Sequence, residues 1–363
     1  MKLPGLIIEA KKRLSIFLSQ RKNLTFLMIV GGAFLVMAAV ILAFVFRPDK
    51  KITELIVEPT TETVLRHPLT GERLESPLSV LPQVFGVMVE NSADAWPLSG
   101  LDKAFLVIEA PVEGNIPRFI AFFSADTEIK KLGPVRSARP YYLDWASQFD
   151  NLIYAHVGGS PAALERLHSG ELPLLDLNEF FQGEHFYRDQ RRYAPHNVYT
   201  NSQLMSNALA ELQPAEPHYA PLVFKDDSPV ESLAQVSFSL DWGPGSTYDV
   251  NWEYQAATNS YVRFQSGDEL AINANNVIVL ATDVESIDNV DRKQVATIGQ
   301  GDAMLFQDGQ VTVGRWIKTS STEPLRIVDE QGDELPWNAG RTWIEVVRSL
   351  TAVSLESSGE STD

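Results

Sequence analysis

The chain has 363 residues, 44% of them hydrophobic and 21% charged, with no cysteine. Its formal net charge of −17 hides a division: residues 1–51 carry nine Lys/Arg against two Asp/Glu, or +7, which leaves −24 for residues 52–363. The acidic bulk argues against a nucleic-acid binder, and the missing cysteines exclude a disulfide framework, Cys-ligated zinc, a thiol nucleophile and a lipid-modified cysteine.

Residues 1–22 form a basic tail, within which 6–19 reads either as a short amphipathic helix against lipid head groups or as an unstructured segment. Residues 23–46 are an uncharged, mainly apolar run, and a helix of about 20 such residues spans a bilayer core. Lys2, Lys11, Lys12, Arg13, Arg21 and Lys22 precede it, opposed only by Glu9. The positive-inside rule therefore puts the N-terminus in the cytoplasm and the rest outside, as a single-pass signal anchor in the cytoplasmic membrane. A cleaved signal peptide fits less well, because its apolar core is typically about 7–15 residues long.

Residues 47–80 read as an extracytoplasmic stalk rich in Thr, Glu and Pro, ending in a docked turn at Gly71. Strands are expected at 83–90, 103–110, 117–124 and 151–157, where β-branched and aromatic runs end in Gly, Pro or Asn. A helix is expected over 137–149 with Pro140 in its first turn. A second follows Ser160, its N-cap, with Pro161 as first helical residue, and a third begins near Asn201. Residues 213–234 form a Pro- and Asp-rich connection. Residues 235–350 are β-rich, with an Asp-Gly hairpin turn at Asp308–Gly309, and 351–363 are a polar tail.

Chemistry-bearing residues crowd the ends of the apolar segments between 105 and 199. Glu109 and Glu113 could act as an acid/base pair on a glycosidic bond; the competing reading is a buried ion pair of Glu109 with Arg118 or with an arginine of 136–139. Arg136 and Arg139, flanking Ser137 at a helix start, could converge on an anion in a pocket completed by Arg188, Arg191 and Arg192, or simply pair with acids such as Asp144, Asp189 and Glu113. His156 and His196 have no zinc-site spacing, so no metal is expected, and no motif calls for a cofactor. Tyr187 and Asn197 complete the candidate groove: Glu109, Glu113, Arg118, Arg136, Ser137, Arg139, His156, Tyr187, Arg188, His196 and Asn197. Ser160 lacks a nucleophile elbow and is sufficiently explained as a cap.

The stretches HPLTGE (67–72), GVMVENSADAWPLSGLDKAFLVIEAPVEGNIPRF, LGPVRSARPYYLDWA, YAHVGGSPAAL, FYRDQRRYAPHNVYT, LFQDGQVTVGRW and GRTWIEVV occur in an order that closely resembles the YerB-like family of bacterial envelope proteins, over about residues 67–347. The resemblance implies an α+β fold of mixed β-sheet layers with a helical layer, in an N-terminal part (81–212) and a β-rich C-terminal part. The family has no assigned biochemical activity. Many members are lipoproteins, whereas this chain has no cysteine and carries the 23–46 segment in its place. The functional expectation is an envelope protein that binds an anionic wall component or an envelope protein through the groove. The alternatives are a hydrolase or transferase acting on peptidoglycan or another wall polymer, and a structural subunit of a membrane complex.

Overall fold

The computed structural model describes residues 11–13, 15–16, 64–229, 235–243, 246–266 and 268–357. The chain divides into two compact units, Met1–Glu62 and Thr63–Asp363. In the first, residues 11–13 and 15–16 are helical and exposed. The expected membrane span at 23–46 lies outside the described residues, among which no helix is long and apolar enough to cross a membrane.

The second unit begins with the 67–72 turn. Gly71 adopts φ +71°, and Leu69 is buried. Then come β1 (Val84–Val89), β2 (Leu106–Pro111), β3 (Pro117–Ser124), α1 (Pro140–Ala146), β4 (Leu152–His156), α2 (Pro161–His168) and β5 (Leu174–Asn178). A short pair, β6 (Tyr187–Arg188) and β7 (Val198–Tyr199), precedes α3 (Ser202–Leu212). Next are β8 (Phe224–Lys225), β9 (Val236–Leu240), β10 (Val250–Gln255), β11 (Ser260–Gln265), β12 (Asp268–Ala274) and β13 (Asn276–Ala281). The hairpin β14 (Val284–Ser286) and β15 (Lys293–Val295) leads to β16 (Gly299–Gln307), β17 (Gln310–Lys318), β18 (Arg326–Val328), β19 (Trp337–Asn338), β20 (Thr342–Val347) and β21 (Val353–Ser357).

Ten strands form one mixed sheet in the order β18-β17-β16-β13-β20-β2-β3-β1-β4-β5, and a second sheet runs β12-β11-β10-β9-β21. The large sheet draws strands from both halves of the chain, because β20 inserts beside β2 in parallel register. Burial explains the sequence patterns. Every residue of β1, β2, β3 and β20 is buried, so these central strands read as near-continuous apolar runs. β10 alternates buried and exposed residues, as a one-sided sheet requires.

One core lies between the large sheet and α1, α2 and the β14–β15 hairpin, with Tyr142, Trp145, Phe149 and Trp316 among its large side chains. The other lies on the opposite face, under α3 and the five-stranded sheet, and contains Phe119, Trp252, Phe306 and Trp343. The fold is thus mixed α/β with a large mixed sheet and a β-rich C-terminal part.

The expected caps form. The Ser160 side chain accepts from Ala163 N at 3.3 Å, and that of Asn201 accepts from Leu204 N at 2.9 Å. Residues 353–357 depart from the expected polar tail. They add β21 to β9 through main-chain pairing, which needs little apolar burial, and Leu355 stays 53% exposed.

Candidate functional site

β1, β2, β4 and β5 run in one direction and β3 in the other. The loops after β1, β2, β4 and β5 therefore meet the start of β3 on one edge of the sheet. In open α/β sheets this carboxyl-end edge is where ligands bind. The segment around Arg136 lies across it: Arg136 N bonds Met88 O, and Val157 N bonds Arg136 O. Ala138 then bridges to Gly159.

Three groups of the expected residues sit along this edge. In the first, Glu90, 4% exposed, accepts from Arg136 Nε at 3.0 Å and from His196 Nδ1 at 2.8 Å. His196 Nε2 has no protein partner among the described residues. In the second, Arg139 grips Glu113 with two hydrogen bonds, Nε to Oε1 at 2.8 Å and Nη2 to Oε2 at 2.7 Å. Burial pulls the Glu113 carboxyl up, but the Arg139 fork outweighs it and holds the carboxyl below its usual range.

Arg118 belongs beside this pair and differs from it. It is 7% exposed, and Nη1 donates to Ser137 O at 2.8 Å. No carboxylate lies within 4 Å of it among the described residues. Burial, then the neighbouring Arg139 charge, brings Arg118 down to about 10. It therefore stays charged at neutral pH in a place where charge is poorly solvated. Ser137 contributes its carbonyl, while its hydroxyl has no protein partner among the described residues.

In the third group, His156 is fully buried. Its Nδ1 lies 2.7 Å from Gly158 O and its Nε2 2.6 Å from Asp176 Oδ1. Both ring nitrogens are committed, so His156 positions the Gly158 loop and has no nitrogen left for a ligand. Further out, Arg188 bonds Asn197 Oδ1 at 3.0 Å and Glu179 Oε1 at 2.7 Å. Tyr187 stacks on Tyr199 with centroids 6.0 Å apart. Phe180 and Phe181, between Asn178 and this cluster, are 67% and 75% exposed.

Glu109 is not on this surface. Its side chain lies on the opposite face of the sheet, where it meets Arg263 Nη2 at 3.1 and 2.8 Å. It also accepts from Asn91 Nδ2 and Trp343 Nε1, each at 3.2 Å. Neither Arg118 nor an arginine of 136–139 is its partner. A glycosidic acid/base pair of Glu109 with Glu113 is therefore not assembled. Glu345 stands opposite Glu109 in register and accepts from Trp252 Nε1 at 3.0 Å.

Arg263, Glu345, Glu90, Asp176 and Tyr154 were not singled out in the sequence. Arg263 and Glu345 had a readable signal: each is a charge at an inward position of an otherwise apolar strand, YVRF and TWIEVV. Glu184, His185 and Glu211 bring three ligand-type atoms within 4.8 Å of one another. His185 Nε2 already meets Glu211 at 3.1 Å, and its Nδ1 is buried without a partner. A metal on Nε2 would move the ring proton to Nδ1, which faces no acceptor, so the trio fits a neutral ring donating from Nε2 to Glu211 better than a cation site.

Two cavities of 720 and 780 Å³ open at the other edge of the sheet, one beside Asp150 and His218, the other beside Gln83 and Asp126. Neither is lined by an arginine or lysine, so an anionic-ligand reading belongs at the carboxyl-end edge.

Two family descriptions match the same chain: "Protein of unknown function (DUF3048) N-terminal domain" over residues 69–215 and the corresponding C-terminal domain over 238–344. The chain belongs to the DUF3048 family. A relative, "Putative lipoprotein YerB" of Bacillus subtilis (strain 168), is 31% identical over 312 residues, 83% of this chain and 92% of its own length. The crystal structure of YerB from Bacillus subtilis superposes with a TM-score of 0.71 at 30% identity, covering 80% of this chain and 99% of the YerB chain. The YerB-like resemblance read from the sequence is thus confirmed, and the DUF3048 fold extends over both halves of the large sheet.

Proposed function

We propose that this protein is an extracytoplasmic envelope protein that binds an anionic group, carried by a wall polymer or an envelope protein, at the carboxyl-end edge around Arg118, Arg136 and Arg139. The lipoprotein name of its relative and the apolar 23–46 segment support attachment to the outer face of the cytoplasmic membrane. The observation that carries the binding reading is Arg118. Arg136, Arg139 and Arg188 are closed into pairs with Glu90, Glu113 and Glu179, as a purely structural role requires. Arg118 is buried from water yet has no carboxylate within 4 Å among the described residues, and an incoming anion would supply one.

The test is co-sedimentation of the full chain, purified in mild detergent, with wall sacculi that carry phosphate polymers and with sacculi stripped of them. Retention is expected on the first only. Hydrogen bonds to charged groups contribute about 1.5–3 kcal/mol, so Arg118→Met should weaken retention roughly 10- to 100-fold. Equal behaviour of wild type and Arg118→Met, or no retention of either, removes the reading.

A second reading, hydrolysis of a wall polymer, draws on the Glu90–His196 pair. Nδ1 is held by a carboxylate while Nε2 stays open, the arrangement of a histidine poised to take or give a proton. Product release from the same sacculi should then be lost in His196→Gln, and release that persists in that variant ends this version.

A further inference from the structure

The larger of the two cavities at the other edge of the sheet has a charge arrangement opposite to that of the arginine cluster. Glu72, Asp126 and Glu216 border it, and no lysine or arginine does. None of the three carboxylates is in an ion pair or accepts a protein hydrogen bond among the described residues. The arginines nearest to Glu72 in sequence, Arg66 and Arg73, are both held by Asp226. At the carboxyl-end edge, by contrast, Glu90, Glu113 and Glu179 all have arginine partners.

Apolar side chains make up most of the wall. Leu74, Leu81 and Leu209 are half-buried there, while Leu78 and Val80 stay 43% and 55% exposed. The cavity measures 780 Å³, inside the range of about 300–1,000 Å³ for ligand sites, which are mainly apolar with a few polar groups. Its rim is also rich in unused main chain. Residues 75–81 and 214–218 lie outside helix and strand, and among the described residues their backbone groups bond to no protein partner. Tyr219 pins the two stretches together by donating to Pro82 O at 2.8 Å. An uncharged apolar ligand would leave the carboxylates unanswered, and an anion would be repelled. A cation carried on an apolar body satisfies both features. The free main-chain groups fit a partner that brings its own main chain, an extended peptide whose alternate side chains enter the cavity.

We propose that this cavity docks an extended segment of a partner protein in which lysine or arginine stands between apolar residues. It is a second site, at the edge away from Arg118, and it does not depend on the anion-binding reading. Glu72, Asp126 and Glu216 hold the cation, and Leu78 and Val80 cover the apolar side chains beside it.

The experiment is fluorescence anisotropy with the full chain in phosphatidylcholine nanodiscs, which leaves no free detergent to fill the cavity; empty nanodiscs give the background. The probes are labelled hexapeptides of alternating leucine and lysine, of leucine and glutamate, and of serine and lysine. Wild type should bind the first well above the other two. The triple variant Glu72→Gln/Asp126→Asn/Glu216→Gln should weaken that binding about tenfold. Leu78→Ser/Val80→Ser should also weaken it about tenfold. All five side chains are exposed, so both variants should keep the wild-type Tm and the losses report the site. Equal binding of either control peptide, full affinity in either variant, or no binding by wild type overturns the proposal.

Discussion

Arg263→Met is expected to destabilise the fold by about 3–5 kcal/mol, the range for removing one partner of a buried ion pair. Arg263, Glu109 and Glu345 are all fully buried, and they come from strands of two sheets: Arg263 on β11, the carboxylates on β2 and β20. Asn91, Gln265, Trp252 and Trp343 complete the network. One arginine faces two acids, so charge balance in this dry interior requires one carboxyl to keep its proton.

Burial and the Glu109 charge push Glu345 well above the usual carboxylate range. Burial also raises Glu109, against the pull of Arg263. We place the shared proton on Glu345, because Glu109 accepts from Arg263, Asn91 and Trp343, whereas Glu345 accepts only from Trp252. Without Arg263, Glu109 must be protonated or remain a bare buried anion, so the loss should grow as pH rises. The double variant Arg263→Met/Glu109→Gln should recover much of it.

Glu345 gives the linkage a definite sign. Its folded pKa lies above the unfolded one, so the folded state holds a proton that the unfolded chain releases above about pH 4.5. Its contribution is complete below that value and declines as pH climbs toward the folded pKa. Urea unfolding from pH 5 to 9 should show stability falling with pH in the wild type and less so in Glu345→Gln. An unchanged slope in Glu345→Gln would place the proton elsewhere.

Asp308→Ala is expected to cost about 3 kcal/mol or more, since it leaves several buried donors without an acceptor. Asp308 accepts from Asn259 Nδ2 and Asn338 Nδ2, each at 2.8 Å, and from Lys225 Nζ. It thus ties the turn between β10 and β11, β19 and β8 to the β16–β17 hairpin. It also holds φ +56°, where alanine adds roughly 1–2 kcal/mol of strain.

Burial raises the Asp308 carboxyl, but its hydrogen bonds to Lys225, Asn259 and Asn338 hold it below 3.8. The sign is therefore opposite to that of Glu345: stability is present above about pH 4 and is lost as pH falls through the lower folded value. Asp308→Asn tolerates the left-handed backbone and retains one acceptor. It should lose less than Asp308→Ala and flatten the acid limb of a thermal-unfolding series. Equal losses in the two variants would mean that the carboxylate charge facing Lys225, and neither the backbone angle nor the retained acceptor, sets the cost.

Asp308 also shows where sequence reading stops. Asp-Gly predicts the hairpin turn, because both residues tolerate positive φ, and Asp308 and Gly309 adopt +56° and +74°. Nothing local announces that the same carboxylate gathers donors from three distant segments. The groove residues divide in the same way. Glu113, Arg118, Arg136, Ser137, Arg139, His156 and His196 share the carboxyl-end edge, as their crowding at strand ends suggested. Glu109, two residues before the end of β2, turns to the other face.

The sequence by itself determined the strands with their periods, the Ser160 and Asn201 caps, the Asp308–Gly309 turn and the family. These depend on φ/ψ preferences and on side-chain alternation within a few residues. Tertiary structure alone decided the partner of each charge. Glu109 and Arg263 are 154 positions apart, and their meeting depends on two sheets packing face to face. It alone also set Arg118 apart from Arg136, Arg139 and Arg188, whose partners Glu90, Glu113 and Glu179 are identified only once the edge is assembled.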